Sequence, residues 1–147
     1  MASIRDLILT ELVTRVDAIT GVSAALRSDE NTVDSDVHAI VYPIGEDKSL
    51  DTGQSYNATY RVEVLLIALV GNADPDMDGS NAYRYLDRMV TEVEKVIHVP
   101  DAWGPAAPVT DVWIQGHDVV EPDEENEIAA RISLTFKYRH DYRDPAI

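Results

Sequence analysis

The apolar positions of the 147-residue chain fall into two periods. Ile4, Leu7, Ile8, Leu12, Val16 and Ile19 recur at helical spacing, while Arg5, Glu11, Thr14 and Arg15 fall mostly on the other face. Ser3 with Asp6 forms a variant capping box ahead of this run, and Gly21 suits a left-handed cap after it. A helix is predicted over 4–19. Val22, Ala24 and Leu26 then alternate as a short strand, and His38 to Tyr42 make a second one before Pro43. The polar stretch 27–36 reads as a solvated loop. The stretch 43–55, with Gly45, Gly53 and several charges, reads as a mobile loop.

The strongest strand pattern runs from Tyr56 to Val70. Tyr56, Ala58, Tyr60, Val62, Val64, Leu66, Ala68 and Val70 share one parity, with Asn57, Thr59, Arg61 and Glu63 on the other. In its second half Leu65, Ile67 and Leu69 make both parities apolar, so this part is expected to be covered twice, by helices or by a neighbouring subunit. A second helix is predicted over 81–97. Ala82, Leu86, Met89, Val90, Val93, Val96 and Ile97 line one face, and Arg88 and Glu92 are spaced to pair on the other. The last third reads as a β-hairpin. A strand over 109–120 leads through an acidic turn, 121–127, into a half-buried strand from Ile128 to Tyr138. The expected fold is α+β: an antiparallel sheet of four or five strands with two amphipathic helices packed on one face. It forms a single domain over 1–147 that ends in an arm, 139–147.

Composition narrows what such a domain does. Twenty-seven Asp and Glu stand against twelve Lys and Arg, for a net charge of −15. An acid excess of this size repels phosphate, so general nucleic-acid binding is not expected. The absence of cysteine excludes a disulfide scaffold. No run approaches the roughly 20 apolar residues of a membrane span, and the first residues lack the basic start of a secretory signal. Without such a signal, the sequon at Asn57 to Thr59 carries no meaning.

The motifs that carry chemistry are sparse. Asp74, Asp76, Asp78 and Gly79 match the first half of a calcium loop, but Tyr85 stands where the bidentate glutamate belongs and a strand precedes the loop. A polar turn that caps the following helix is the expected reading, with no metal. His38, His98, His117 and His140 show none of the spacings of a metal site. There is no nucleophile elbow and no phosphate-cradling glycine loop, so no catalytic residue and no cofactor are expected. Trp103, in a Pro/Gly-rich stretch, and Trp113, opposite in parity to Val112 and Ile114, are equally readable as core or as partner surface. The end of the chain concentrates Tyr138, Arg139, Tyr142 and Arg143, the residue types that dominate interface hot spots.

The order of elements, together with the ending Leu134-Thr135-Phe136-Lys137-Tyr138-Arg139 followed by Asp144-Pro145, resembles the small tail terminator (tail completion) proteins of long-tailed bacteriophages. The likeness covers nearly the whole chain in element order, and its specific sequence content is confined to the last dozen or so residues. It implies a structural virion protein and no enzyme. Such proteins assemble as a homohexameric ring on the tail tube, stop tube growth, and provide the surface that joins the head connector. The implied partners are further copies of the chain, the tail tube protein and the head–tail connector, with DNA passing through unbound and no membrane involved. The implied location is the tail–neck junction of the virion, assembled in the host cytoplasm. On this reading Leu65, Ile67, Leu69, Trp113, Tyr138, Arg139, Tyr142 and Arg143 are expected at subunit or partner contacts. Glu121, Asp123, Glu124, Glu125 and Glu127 are expected on the lumen or an end surface, where acidic groups let DNA slide.

Two other readings stay open at this point. One is a head–tail connector, stopper or tube subunit. The other is a small cytoplasmic α+β enzyme or ligand-binding domain, which would need a pocket of convergent polar groups.

Overall fold

The computed structural model describes residues 3–19, 24–27, 37–50, 55–69, 79–97, 109–120 and 127–141. Seven elements follow in order: α1 (Ile4–Asp17), β1 (Ala24–Arg27), β2 (Val37–Leu50), β3 (Ser55–Leu69), α2 (Gly79–Ile97), β4 (Val109–Val120) and β5 (Glu127–Asp141). The strands form one sheet in the order β1-β2-β3-β5-β4. The four long strands pair antiparallel, and α1 and α2 cover one face, as the α+β expectation requires.

Strand alternation sets that face. Ala58, Tyr60, Val62, Val64 and Leu66 of β3 and Ala130, Ile132, Leu134, Phe136 and Tyr138 of β5 are all buried. They pack with Ile4, Ile8, Leu12 and Val16 of α1 and Leu86, Met89, Val90, Val93 and Ile97 of α2 in a single core. The Ser3 hydroxyl accepts from the Asp6 backbone N–H at 3.1 Å, which starts α1. Ser3→Ala should therefore cost about 1 kcal/mol of stability in denaturant titration, and Ser3→Asp should restore it.

The structure corrects several expected boundaries. α1 stops at Asp17, with Ala18 as its C-cap, two residues before the predicted end. The expected loop at 43–55 is strand as far as Leu50, and strand again from Ser55. Pro43 and Gly45 mark a β-bulge rather than the end of the strand. Beyond Val41, among the described residues, β2 pairs only with β3, so a proline without an N–H is tolerated on its free edge.

β1 pairs parallel with β2, not antiparallel. Residues 28–36 span roughly 30 Å when extended, enough to return along a four-residue strand of about 13 Å. β5 runs on to Asp141, so the first residues of the expected arm, Arg139 to Asp141, are strand. α2 begins at Gly79, two residues earlier than predicted, and its Glu92 is engaged by Lys95 at 3.0 Å. The expected loops over 28–36 and 51–54, the calcium-like Asp74–Asp78, Trp103, the acidic residues 121–126, and Tyr142 and Arg143 lie outside the described residues.

Candidate assembly surface

With both helices on one side, the opposite face of the sheet carries the other parity of every strand. Its centre is Leu65, which lies between Ile40 of β2 and Arg131 of β5. Ile67 lies between His38 and Ala129. Leu65 and Ile67 are half-buried, and their neighbours Ile40 and Ala129 are buried. The second half of β3 is thus covered by helices on one side only, and its other side forms a small apolar patch. Leu69 lies in the strand opposite Glu127, with its neighbour in the pairing at the start of β5.

Charged and aromatic groups border this patch. In the next rows Arg61, Thr135 and Trp113 stand side by side across three strands. Trp113 is half-buried, and the Lys137 ammonium sits 5.5 Å from the centre of its ring, in cation–π range. Thr135 is buried, and its hydroxyl has no hydrogen-bond partner among the described residues. Arg131 holds Asp118 through two nitrogens, at 3.2 and 2.8 Å. Arg61 pairs with Asp47, and Arg139 donates to the Ser55 hydroxyl at 3.3 Å. Despite the net charge of −15, four cations (Arg61, Arg131, Lys137 and Arg139) belong to this face of β3 and β5.

The eight expected contact residues separate on these observations. Leu65, Ile67, Trp113 and Arg139 share the open face. Tyr138 does not: it is 1% exposed and belongs to the core beneath the helices. The alternation of β5 turns it inward, and the side chain is filled by contacts within its own subunit. Its place in an aromatic and basic ending suggested a surface role. That cue is compositional, and strand parity overrides it. The structure describes Glu127 as the first residue of β5, opposite Leu69.

A second cluster, on the helix side, was not expected from the sequence. The Glu46 carboxylate is largely buried, its side chain 9% exposed. Its Oε1 takes the Arg5 guanidinium at 2.8 Å and the Lys48 ammonium at 3.4 Å, and its Oε2 accepts the Tyr138 hydroxyl. Nearby, Arg27 pairs with Asp6 at 3.2 Å. Arg5, Asp6, Arg27, Glu46 and Tyr60 border a cleft of about 490 Å³ between the start of α1 and the bulge of β2. Burial pushes the Tyr60 hydroxyl up to about 12, with Arg5 opposing the shift and Glu46 adding to it. Burial also raises Tyr138, reinforced by its hydrogen bond to Glu46. Both oxygens of Glu46 are engaged by the protein itself, so its carboxylate ties α1 to β2 and β5. Only the three-dimensional pairing reveals this cluster. Glu46 is 41 residues from Arg5 and 92 from Tyr138, and no local spacing marks it.

Among the described residues, no group of three or more His, Asp or Glu side chains is placed to hold a metal ion. No helix among them is long and apolar enough to cross a membrane.

No protein-family model matches the chain, and no curated protein sequence is similar to it. Among solved structures, the fold matches a chain from the virion of a native gene transfer agent (GTA) particle. The TM-score is 0.52 at 12% sequence identity, and the match covers 95% of this chain and 92% of the other. At that identity the likeness is one of fold.

Proposed function

We propose that this chain is a structural virion protein that forms a ring on the end of a phage-type tail tube. The ring ends tube growth and offers the head connector a joining surface. The observation that carries this reading is the fold match to a chain of a gene transfer agent virion, which extends over nearly the full length of both chains. The ending of the chain, which resembles tail terminators, points to the tube end rather than elsewhere in the particle.

The role asks for assembly and not catalysis. The copies would meet one another, the tube protein below and the connector above, and DNA would pass through the ring. Leu65, Ile67, Leu69, Trp113, Arg139, Tyr142 and Arg143 remain the proposed contact residues, with Tyr138 withdrawn because of its burial. The acidic run Glu121, Asp123, Glu124, Glu125 and Glu127 is proposed to line the lumen or an end surface, where it repels the phosphates of passing DNA. Neutralising those five acids together should lower the yield of infectious particles while tails still assemble. An unchanged titre contradicts their placement.

Light scattering across a range of protein concentrations tests the ring itself. The expected species has about six times the 16.3 kDa chain mass. A monomer at every concentration that also fails to bind isolated tube ends contradicts the reading.

A further inference from the structure

We propose that successive copies join edge to edge. The outer edge of β4 in one copy pairs antiparallel with the free part of β2, beyond Val41, in the next. This rests on the ring reading and names the surfaces that close the ring. Among the described residues, β4 pairs only with β5, and β2 beyond Val41 pairs only with β3. Both therefore present a row of backbone N–H and C=O groups that only another extended chain satisfies fully.

Three observations select this pairing. The first is direction. The strands β2-β3-β5-β4 alternate, and their number is even. Copies placed side by side around one axis keep the same orientation, so β4 of one copy always meets β2 of the next antiparallel. The alternation then runs unbroken through the junction, and because the two edges differ the contact is heterologous, as a ring requires.

The second is regularity. Both edges are interrupted by bulges, at Pro43/Gly45 in β2 and at Val109/Asp111 and Ile114/Gly116 in β4. Past those bulges, 45–50 and 116–120 keep regular register. These stretches lie toward opposite ends of the sheet: 45–50 runs beside 56–61, whereas 116–120 is aligned, across β5, with 63–67. Joining them slides each copy along the strand direction, and a sheet that closes on itself needs such a stagger.

The third is side-chain chemistry. The large apolar side chains exposed among the described residues are Ile44, Leu50 and Val119, and all three lie on these two edges. Leu50 stands opposite Tyr56, and Val119 opposite the buried Ala130, which puts both on the helix side of the sheet. Sharing a face is the condition for a cross-strand pair. The junction would cover both.

Cross-linking tests this directly, because the natural chain contains no cysteine. Leu50→Cys, Val119→Cys, Lys48→Cys and His117→Cys are made in separate chains; Lys48→Cys with Val119→Cys, or Leu50→Cys with His117→Cys, covers a register slip of two residues, and Lys48→Cys with His117→Cys a slip of four. Each variant is oxidised alone and in mixture, and light scattering records whether rings are present. The expected result is a linked dimer formed from a β2 variant mixed with a β4 variant, at least tenfold above either variant alone. The double variant Leu50→Cys/Val119→Cys should give a ladder of multimers up to the size of the ring.

Strong cross-linking of the Val119→Cys chain with itself would show a two-fold β4–β4 contact and overturn the proposal. Rings that form without any of these cross-links overturn the edge pairing and leave the ring reading intact. The absence of rings at every concentration and on tube ends overturns both.

Discussion

Replacing Tyr138 with alanine is expected to destabilise the folded subunit by about 3–5 kcal/mol, the range for truncating a buried aromatic side chain. The ring is 1% exposed and sits among the residues packed beneath both helices. Its hydroxyl also donates to Glu46, so Tyr138→Phe should cost about 1–3 kcal/mol by leaving part of a buried carboxylate without a donor. Urea titration of the monomeric subunit measures both. A Tyr138 that served only in subunit contacts would leave monomer stability unchanged and weaken assembly alone. The two effects are separable because denaturation can be followed at protein concentrations below those that support a ring.

The second large effect is expected at alkaline pH. Tyr60 and Tyr138 both have folded-state pKa values raised above the ordinary tyrosine value near 10, Tyr60 to about 12. For a group of this kind the neutral form is favoured by folding. The associated stability is complete below the unfolded pKa and is lost as pH rises towards the folded pKa. As pH rises from 10 towards 12 the unfolded chain releases phenolic protons from these two tyrosines that the native state retains more strongly. Stability should then fall with rising pH, by at most about 1.4 kcal/mol per pH unit for each tyrosine and by less where solvent screens the phenol. Tyrosinate absorbance checks this. Of the seven tyrosines, two should ionise only together with unfolding, at a pH above that of the exposed ones. Tyr60→Phe should remove about half of the slope. Ordinary ionisation of all seven in the native state contradicts the burial of this pair.

The fold was most legible where burial is one-sided and local. In β3 and β5 the alternation of Ala58, Tyr60, Val62 and Val64 and of Ile132, Leu134 and Phe136 reads directly as one wet and one dry face, and the core bears it out. The helical spacing of Ile4, Ile8, Leu12 and Val16 did the same for α1. β2 was legible only as far as Tyr42. Its second half is an edge, where Asp47, Lys48 and Ser49 are exposed and little apolar area is buried. Periodicity reports burial, so an exposed edge strand looks like a loop.

The same limit explains the parallel pairing of β1. Four residues carry too little pattern to show direction, which is decided by what lies beside them. The candidate assembly surface was legible in part. Leu65 and Ile67 broke the wet parity of β3 and marked the apolar patch, whereas Tyr138 was assigned by composition and strand geometry placed it inside. The Glu46 cluster was not legible, because each of its members is unremarkable in its own neighbourhood and is defined only by long-range contact.

The proposed role has its most direct test in tube growth. Tail tube protein from the same particle is assembled with and without this chain, and tube lengths and ends are read by electron microscopy. The account predicts that substoichiometric amounts shorten the tubes, and that each shortened tube carries a ring of this chain at one end. Tubes of unchanged length, with the chain absent from their ends, would contradict it.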